Sequence, residues 1–294
     1  MAIDIFRVPV SYGASIFAEV IDPGESVPPG APTVVMAHGW CLDHTSWHKV
    51  IDELQDRCSV RVVTYDQRGH GKSSMGEIDE PSVRILGDDL DEVILATQPE
   101  GPLVLVGHSM GGMSIMAYAG LHYERFTSRV HGTVLASTAA SIEGRSAVPM
   151  ESLIMAAASR APGIAPRLLV PRLVQGRLLF GAKADKDDVR HAVHQIQHTK
   201  MPTIGRFFYA IANHDEVDAL PHFVDVPTHI ISGDDDRLIP VPHAEQLRER
   251  IPDADLTVLP DVGHMTIYEA SDTIVDAIED LLDRWAEPKS KRKA

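Results

Sequence analysis

The stretch at residues 103–112, Leu-Val-Leu-Val-Gly-His-Ser-Met-Gly-Gly, constrains the fold of this chain more than any other. Its unbroken apolar run is typical of a central strand that is buried on both faces. The Ala- and Met-rich stretch at 113–121 predicts a helix, so Ser109 lies in a sharp turn between strand and helix. The small residues Gly107 and Gly111 suit such a turn, because its backbone is strained and neighbouring elements pass close to it.

Ser109 is the central residue of a Gly-x-Ser-x-Gly pattern at 107–111. A serine on this turn presents its hydroxyl at the top of the sheet. The backbone N–H of Met110 then lies at a helix N-terminus, where it can stabilise a developing oxyanion. With a strand before it, a helix after it and Gly112 behind it, the pattern resembles the α/β-hydrolase family. The alternative interpretation of this pattern is a glycine-rich start of a helix that has no catalytic role.

Strand and helix patterns alternate along much of the chain. Apolar runs predict strands at 33–37, 60–65, 103–107, 130–136, 228–232 and 256–259, and residues 6–21 predict two antiparallel strands. Helical spacing predicts helices at 47–54, 83–97, 243–250 and 273–285. The alternation favours an α/β fold, and the family resemblance implies a mostly parallel eight-stranded sheet with helices on both faces.

The alternation stops between residues 141 and 223. This segment lacks a convincing strand but has helical stretches at 151–159, 167–180, 187–199 and 203–212, separated by prolines. The family resemblance implies a helical cap inserted here, after the sixth strand and over the active site. We therefore expect a core domain of residues 1–140 and 224–294 and a helical cap of residues 141–223.

A serine hydroxyl is a weak nucleophile, so it needs a base to take its proton and a carboxylate to orient that base. The resemblance implies the chain order serine, acid, histidine. His264 follows a glycine just after the last predicted strand, where the family carries its base. The acid is expected after the preceding strand, where Asp234, Asp235 and Asp236 are adjacent. Asp236 matches the family pattern Asp-Arg-apolar-apolar-Pro, so the predicted triad is Ser109, His264 and Asp236, with Asp235 and then Asp234 as alternative acids.

The oxyanion hole needs a second backbone donor besides Met110. In the family, a His-Gly-x sequence follows an early strand, and the residue after the glycine lends its N–H. Residues 38–40 read His-Gly-Trp, so the resemblance implies that Trp40 is this donor and that its indole lines the pocket. A structural turn with a buried tryptophan is the alternative.

Other motifs have structural interpretations. The Asp-x-Arg-Gly-x-Gly-x-Ser sequence at 66–73 resembles a family loop that supports the site. Cys41, His44 and His48 have a zinc-like spacing without an evident fourth ligand. The histidines at 191, 194 and 198 share one helical face and are interpreted as a solvated stripe. We expect neither a metal nor an organic cofactor.

Composition narrows the classes of partner. The chain has 294 residues, 44% of them hydrophobic, and a net charge of −15, which disfavours binding to nucleic acid. Two cysteines make no disulfide framework and favour a reducing compartment, so a cytoplasmic protein without a membrane span is expected. The expected partner is a small-molecule ester or acyl compound, and the sequence leaves the oligomeric state open.

The resemblance implies a serine hydrolase that cleaves an uncharged, moderately hydrophobic carboxylic ester through an acyl-enzyme, as esterases and lipases do. A serine at position 109 argues against the dehalogenases and epoxide hydrolases of this fold, which use aspartate there. Thioester, lactone or carbon–carbon hydrolysis and a biosynthetic tailoring reaction stay open on the same triad. Cofactor-free haloperoxidases share the Ser-Met-Gly-Gly turn, which makes perhydrolysis a side activity to expect. A non-catalytic ligand-binding protein of this fold is the alternative from another class.

Overall fold

The computed structural model describes residues 2–142, 151–161, 163, 176 and 178–286. Eight strands form one sheet in the order β1-β2-β4-β3-β5-β6-β7-β8. β1 pairs with β2, and β2 with β4, in antiparallel fashion, whereas all later pairings are parallel. The strands are β1 (Ala2–Val10), β2 (Ala14–Asp22), β3 (Thr33–Ala37), β4 (Val62–Tyr65), β5 (Leu103–His108), β6 (Val130–Ala136), β7 (Thr228–Gly233) and β8 (Asp255–Leu259). The number of strands and their mostly parallel pairing are as predicted, whereas β1 begins at Ala2, earlier than the predicted start at residue 6.

Ten α-helices have both ends within the described ranges, and residues 176, 178 and 179 are also helical. The ten helices are α1 (His48–Arg57), α2 (Val83–Thr97), α3 (Met110–Leu121), α4 (Tyr123–Arg129), α5 (Glu151–Ser159), α6 (Lys186–His198), α7 (Met201–Ala212), α8 (Val241–Arg250), α9 (Thr266–Glu269) and α10 (Ser271–Ala286). The sequence does not predict α4 or α9, because helices of seven and four residues are too short for a periodic pattern. Of the described helices, none combines the length and apolar character that a membrane span requires.

The central strands are buried on both faces because their alternate side chains enter two different cores. In β3, Val34 and Met36 pack with residues of α1 and α10, while Val35 and Ala37 pack with residues of α2, α3 and α8. Each fully buried aliphatic side chain of this kind contributes about 1.5–3 kcal/mol to folding. The two cores therefore fix the sheet rigidly, and the loops at its carboxyl edge project from this scaffold.

The helix after β5 begins earlier than the sequence predicts. We expect it from residue 113, but α3 begins at Met110, directly after the turn. Two glycines let it start there: a Cβ added at Gly111 would lie 2.0 Å from Ala37 O, and one at Gly107 would lie 2.6 Å from Gly112 Cα. The start was misplaced because glycine has a low intrinsic helix propensity, which tertiary packing overrides here.

The segment between β6 and β7 is helical where the structure describes it. It contains α5, α6 and α7 and a 3-10 turn at Val217–Phe223, and its two ends meet in a bridge between Ser141 and Asp215. The predicted helix at 167–180 falls largely outside the described residues. Two threonines bond this segment to loops of the sheet: Thr199 Oγ1 donates to Cys41 O at 3.0 Å, and Thr203 Oγ1 donates to Gly69 O at 3.0 Å.

Candidate active site

Ser109 lies at the carboxyl end of β5 in a strained conformation. Its φ and ψ are 52° and −119°, in a region that a residue with a Cβ rarely adopts. Such a conformation costs about 1–3 kcal/mol and persists only where the surroundings impose it. Here Ser109 N donates to Ala136 O at 2.9 Å, and Ser109 O accepts from Thr138 Oγ1 at 2.7 Å. Both main-chain groups are thus held by the strand β6 and the loop after it.

A chain of hydrogen bonds joins the three residues of the predicted triad. His264 Nε2 lies 3.0 Å from Ser109 Oγ, and His264 Nδ1 lies 2.8 Å from Asp236 Oδ2. Asp236 and His264 are each 4% exposed and Ser109 is 8% exposed, so the chain is shielded from bulk water. With a carboxylate at Nδ1, the neutral imidazole carries its proton on Nδ1 and presents the Nε2 lone pair to the serine hydroxyl.

The Asp236 carboxylate is stabilised in its ionised form. Burial by itself would raise its pKa, but attraction to His264 and the hydrogen bonds that it accepts outweigh burial, so the pKa of Asp236 is lowered. Those bonds include the N–H groups of Leu238 and Ile239, which both donate to Oδ1 at 2.9 Å. One oxygen is therefore committed to the backbone and the other to the imidazole.

The three adjacent aspartates have different surroundings. Asp235 pairs with the half-exposed Arg237 at 2.9 Å, and Asp234 Oδ1 accepts from Asp261 N at 2.7 Å. Only Asp236 of these three is brought to His264. The two alternative acids make other contacts: Asp235 pairs with Arg237, and Asp234 bonds to the loop at Asp261.

His108, the first variable residue of the Gly-x-Ser-x-Gly pattern, bonds to the backbone of His264. Its Nε2–H donates to the carbonyl oxygen of His264 at 2.9 Å. Burial, and then repulsion from His264, lower the pKa of His108 to about 3, so its imidazole is neutral at physiological pH. The sequence does not predict this role of His108, since a contact across 156 residues leaves no local signal.

The His264 loop is also fixed by Glu269, which sequence reasoning missed entirely. Glu269 Oε1 accepts from Gly263 N at 3.1 Å and Oε2 accepts from Gly181 N at 2.8 Å. His264 N in turn donates to Leu179 O at 2.8 Å. The loop that carries His264 is therefore held at Gly263 and at His264 itself.

Gly39, which precedes the predicted oxyanion donor Trp40, packs closely against the turn that carries Ser109. A Cβ added at Gly39 would come within 3.3 Å of Ser109 Cβ and 2.7 Å of His108 Nδ1, so the turn leaves no room for a side chain there. Met110 begins α3, and the first N–H of a helix has no partner within that helix. The Trp40 ring lies 6.3 Å from that of Phe208 in α7, which places it beside the helical segment.

The loop at 66–73 has the supporting contacts expected of it. Buried Arg68 makes a bidentate pair with Asp89 at 2.8 and 2.6 Å. Asp66 accepts from His44 N, His44 Nδ1 and Lys72 N at 2.6–2.7 Å. Asp43, His44 and Asp66 form a cluster of metal-ligand type, but these N–H donors already occupy both Asp66 oxygens.

Two of the three residues with zinc-like spacing, Cys41 and His44, are in surroundings that do not suit a zinc ligand. His44 pairs with Asp66, and burial raises the pKa of the Cys41 thiol, which opposes the thiolate that zinc requires. Of the histidine stripe on α6, His191 stacks near His48, with ring centroids 4.6 Å apart, and His194 lies against His198 at 3.9 Å.

A groove of about 860 Å³ lies away from these residues, between the loop at 79–84 and the helices α5 and α7. Charged side chains on its walls pair with one another, as Arg206 does with Asp79 and Arg84 with Glu216. None of the three triad residues lines it in the part of the chain that the structure describes. The groove is therefore separate from the hydrogen-bonded chain of Ser109, His264 and Asp236.

Comparison with known proteins places the chain in a family. Residues 29–271 match the family model described as serine aminopeptidase, S33. A Yersinia enterocolitica protein, provisionally named carbamate hydrolase RutD, is 32% identical over 245 residues, which cover 80% of this chain and 82% of that protein. The non-heme chloroperoxidase CPO-A1 of Kitasatospora aureofaciens is 27% identical over 250 residues, which cover 79% of this chain and 84% of its own.

The fold is shared with solved structures. An esterase from Thermogutta terrifontis superposes with a TM-score of 0.75 at 23% identity, over 97% of this chain and 99% of that one. This likeness confirms the predicted fold class. Since the family match spans most of the chain and the 32% identical relative is matched over four fifths of it, the chain belongs to the α/β-hydrolase family of hydrolases.

Proposed function

We propose that this hydrolase cleaves carboxylic esters through an acyl-enzyme, with Ser109 as nucleophile, His264 as general base and Asp236 as the acid that orients it. The observation that carries the proposal is the continuous hydrogen-bond chain from Asp236 through His264 to Ser109 Oγ, with distances of 2.8 and 3.0 Å. A nucleophile, a base and an orienting carboxylate within hydrogen-bond reach form the constellation that acyl transfer requires.

In the first half-reaction, Ser109 Oγ attacks the ester carbonyl carbon while its proton moves to His264 Nε2. The carbonyl oxygen becomes an oxyanion, which accepts hydrogen bonds from the N–H groups of Trp40 and Met110. The tetrahedral intermediate collapses when the imidazolium of His264 gives its proton to the leaving alcohol oxygen. Alcohol departs, and the acyl group stays on Ser109.

In the second half-reaction, His264 takes a proton from water, and the hydroxide oxygen attacks the acyl carbon. Collapse of the second tetrahedral intermediate releases the carboxylic acid and returns the proton to Ser109 Oγ. Asp236 stays ionised throughout, because its pKa is lowered, and its charge stabilises the imidazolium that forms in each half-reaction.

We place the substrate under the segment 141–223, as a cap over the triad. Support comes from α7, whose Phe207 belongs to one apolar cluster with Met110 and Met113 of α3 and Ile142. Phe208 of the same helix lies near Trp40. Apolar side chains that pack with Met110, the residue after Ser109, favour an uncharged, moderately hydrophobic substrate.

The relatives support acyl chemistry at a carbonyl carbon, since one is named an esterase and another a carbamate hydrolase. The chloroperoxidase relative favours a second activity on the same acyl-enzyme. If hydrogen peroxide replaces water as the attacking nucleophile, the acyl group leaves as a peracid and Ser109 regains its proton.

A series of p-nitrophenyl esters from acetate to long acyl chains tests the proposal. The wild type is expected to show an activity maximum at one chain length, and Ser109→Ala is expected to lose activity at all lengths. Ser128→Ala, an exposed serine on α4, is the matched control and should keep wild-type rates. Absence of ester cleavage in the wild type, or equal rates in Ser109→Ala, would refute the ester hydrolase.

A further inference from the structure

We propose that His38 is a positioning residue that sets the direction of the Trp40 N–H. The inference rests on the proposed function, because it takes that N–H to be an oxyanion donor. His38 follows β3 directly, and its side chain is fully buried. No step of the mechanism above uses it.

The tautomer of His38 follows from its partners. The backbone N–H of Gln67 donates to His38 Nε2 at 2.9 Å, so Nε2 carries no proton. Burial lowers the pKa of His38 despite the nearby Asp66, so the ring is neutral and its one proton lies on Nδ1.

His38 Nδ1–H then donates to the carbonyl oxygen of Gly39 at 2.7 Å. A trans peptide is planar, so the carbonyl of Gly39 and the N–H of Trp40 point in opposite directions, and fixing the first also fixes the second. Leu42 N is a second donor to the same oxygen at the longer distance of 3.2 Å. The hydrogen bond from the imidazole is therefore the shorter of the two that restrain this peptide plane.

The backbone of His38 is itself held by a buried network of side chains. The side-chain amide of Gln67 donates to His38 O, and its Oε1 accepts from Ser114 Oγ at 2.7 Å. Ser114 lies on α3 and also contacts Met110 O at 2.9 Å. The same helix begins with the second proposed donor, Met110 N, so one buried network ties both donors to a common element.

The position of the Gly39–Trp40 peptide matters because Gly39 packs closely against the turn that carries Ser109. A Cβ at Gly39 would lie only 3.3 Å from Ser109 Cβ. Displacing a catalytic group by about 1 Å can cost about 100-fold in rate. Loss of the imidazole donor, with the Leu42 bond kept, should therefore lower kcat by about 10- to 100-fold.

Two substitutions separate the two bonds of His38. The side-chain amide of Asn at this position can occupy the place of Nδ1, so His38→Asn keeps the donor to Gly39 O and loses the acceptor for Gln67 N. Gln reaches the place of Nε2, so His38→Gln keeps that acceptor and loses the donor to Gly39 O. Both variants remove the same buried ring.

We expect His38→Asn to keep kcat within about threefold of wild type and His38→Gln to lose about 10- to 100-fold with KM nearly unchanged. Affinity for a boronic acid, whose adduct carries the oxyanion, should fall in His38→Gln by a similar factor. His214→Asn is a control, since His214 is another buried histidine that bonds a backbone carbonyl, that of Ala139 at 3.1 Å. Its kcat and boronic acid affinity should stay at wild-type values.

Equal kcat in His38→Asn and His38→Gln, or normal boronic acid binding by His38→Gln, would overturn the inference. If the variants do not fold, nitrogen-correlated NMR of the wild-type histidines decides: a proton on His38 Nδ1 supports the inference, and one on Nε2 overturns it. The proposed function fails separately, if Ser109 of the wild type does not react with a fluorophosphonate.

Discussion

Replacing Asp236 by Asn should inactivate the enzyme without moving the triad. Asp236 Oδ1 accepts the N–H groups of Leu238 and Ile239, and an amide NH₂ cannot take that place, so the Asn oxygen must stay there. The amide NH₂ then faces His264 Nδ1, where the carboxylate oxygen lies at 2.8 Å in the wild type. To accept from it, Nδ1 must give up its proton.

The neutral imidazole then carries its proton on Nε2, which faces Ser109 Oγ and can no longer accept the serine proton. Loss of the productive tautomer typically costs about 10⁴-fold in kcat, or about 5.4 kcal/mol in the activation free energy. The assay is steady-state hydrolysis of the best p-nitrophenyl ester by Asp236→Asn, with Asp235→Asn as the matched control. Asp235 pairs with Arg237 outside the triad, so its variant should stay within about twofold of wild type.

A rate for Asp236→Asn within tenfold of wild type would refute the tautomer argument. So would a large loss in Asp235→Asn, because it would assign the acid to the neighbouring residue. Unfolding curves of both variants check that any loss of rate is not a loss of folded protein.

Three further outcomes follow from the same geometry. His108→Ala should lower kcat about tenfold, because the His264 carbonyl loses its donor at 2.9 Å. His108→Gln, whose side-chain amide can restore a donor at that place, should recover most of the rate in the same ester assay. Gly111→Ala should lower the free energy of unfolding by more than about 2 kcal/mol in a denaturant titration, since its Cβ would lie 2.0 Å from Ala37 O. Gly163→Ala should be near neutral, because no atom of the described residues lies within 4 Å of a Cβ added there, and equal effects of the two changes would contradict the close packing of α3 on β3. Because the pKa of Asp236 is lowered in the folded protein, its ionised form stabilises the fold above pH ~4, and this contribution is lost as the pH falls through the folded pKa. The difference in unfolding free energy between wild type and Asp236→Asn should therefore shrink below pH ~4. A difference that widens there would contradict the lowered pKa.

The parts of the fold that sequence predicts best are those with strong local patterns. β3 and α2 occur within the predicted bounds, because one is a continuous apolar run and the other has a clear helical period. The start of α3 was misplaced because its glycines look unfavourable until the contact of Gly111 with β3 is seen. Local propensity therefore decides the elements, and packing decides their ends.

The candidate site divides in the same way. Short motifs mark the turn around Ser109 and the loops that carry Asp236 and His264, so these three residues could be predicted from the sequence. The contacts that hold them could not: His108 and Glu269 act through backbone groups, which any sequence provides. The choice among three adjacent aspartates depended on the family pattern, and the hydrogen bond to His264 supports Asp236.

If His264 activates Ser109 as a nucleophile, a fluorophosphonate should react with that serine, and mass-spectrometric mapping of the adduct tests this directly. We expect one adduct per chain, on Ser109, absent from Ser109→Ala and formed at least about 100-fold more slowly by His264→Ala. An adduct on another residue, or labelling of His264→Ala at the wild-type rate, would contradict it.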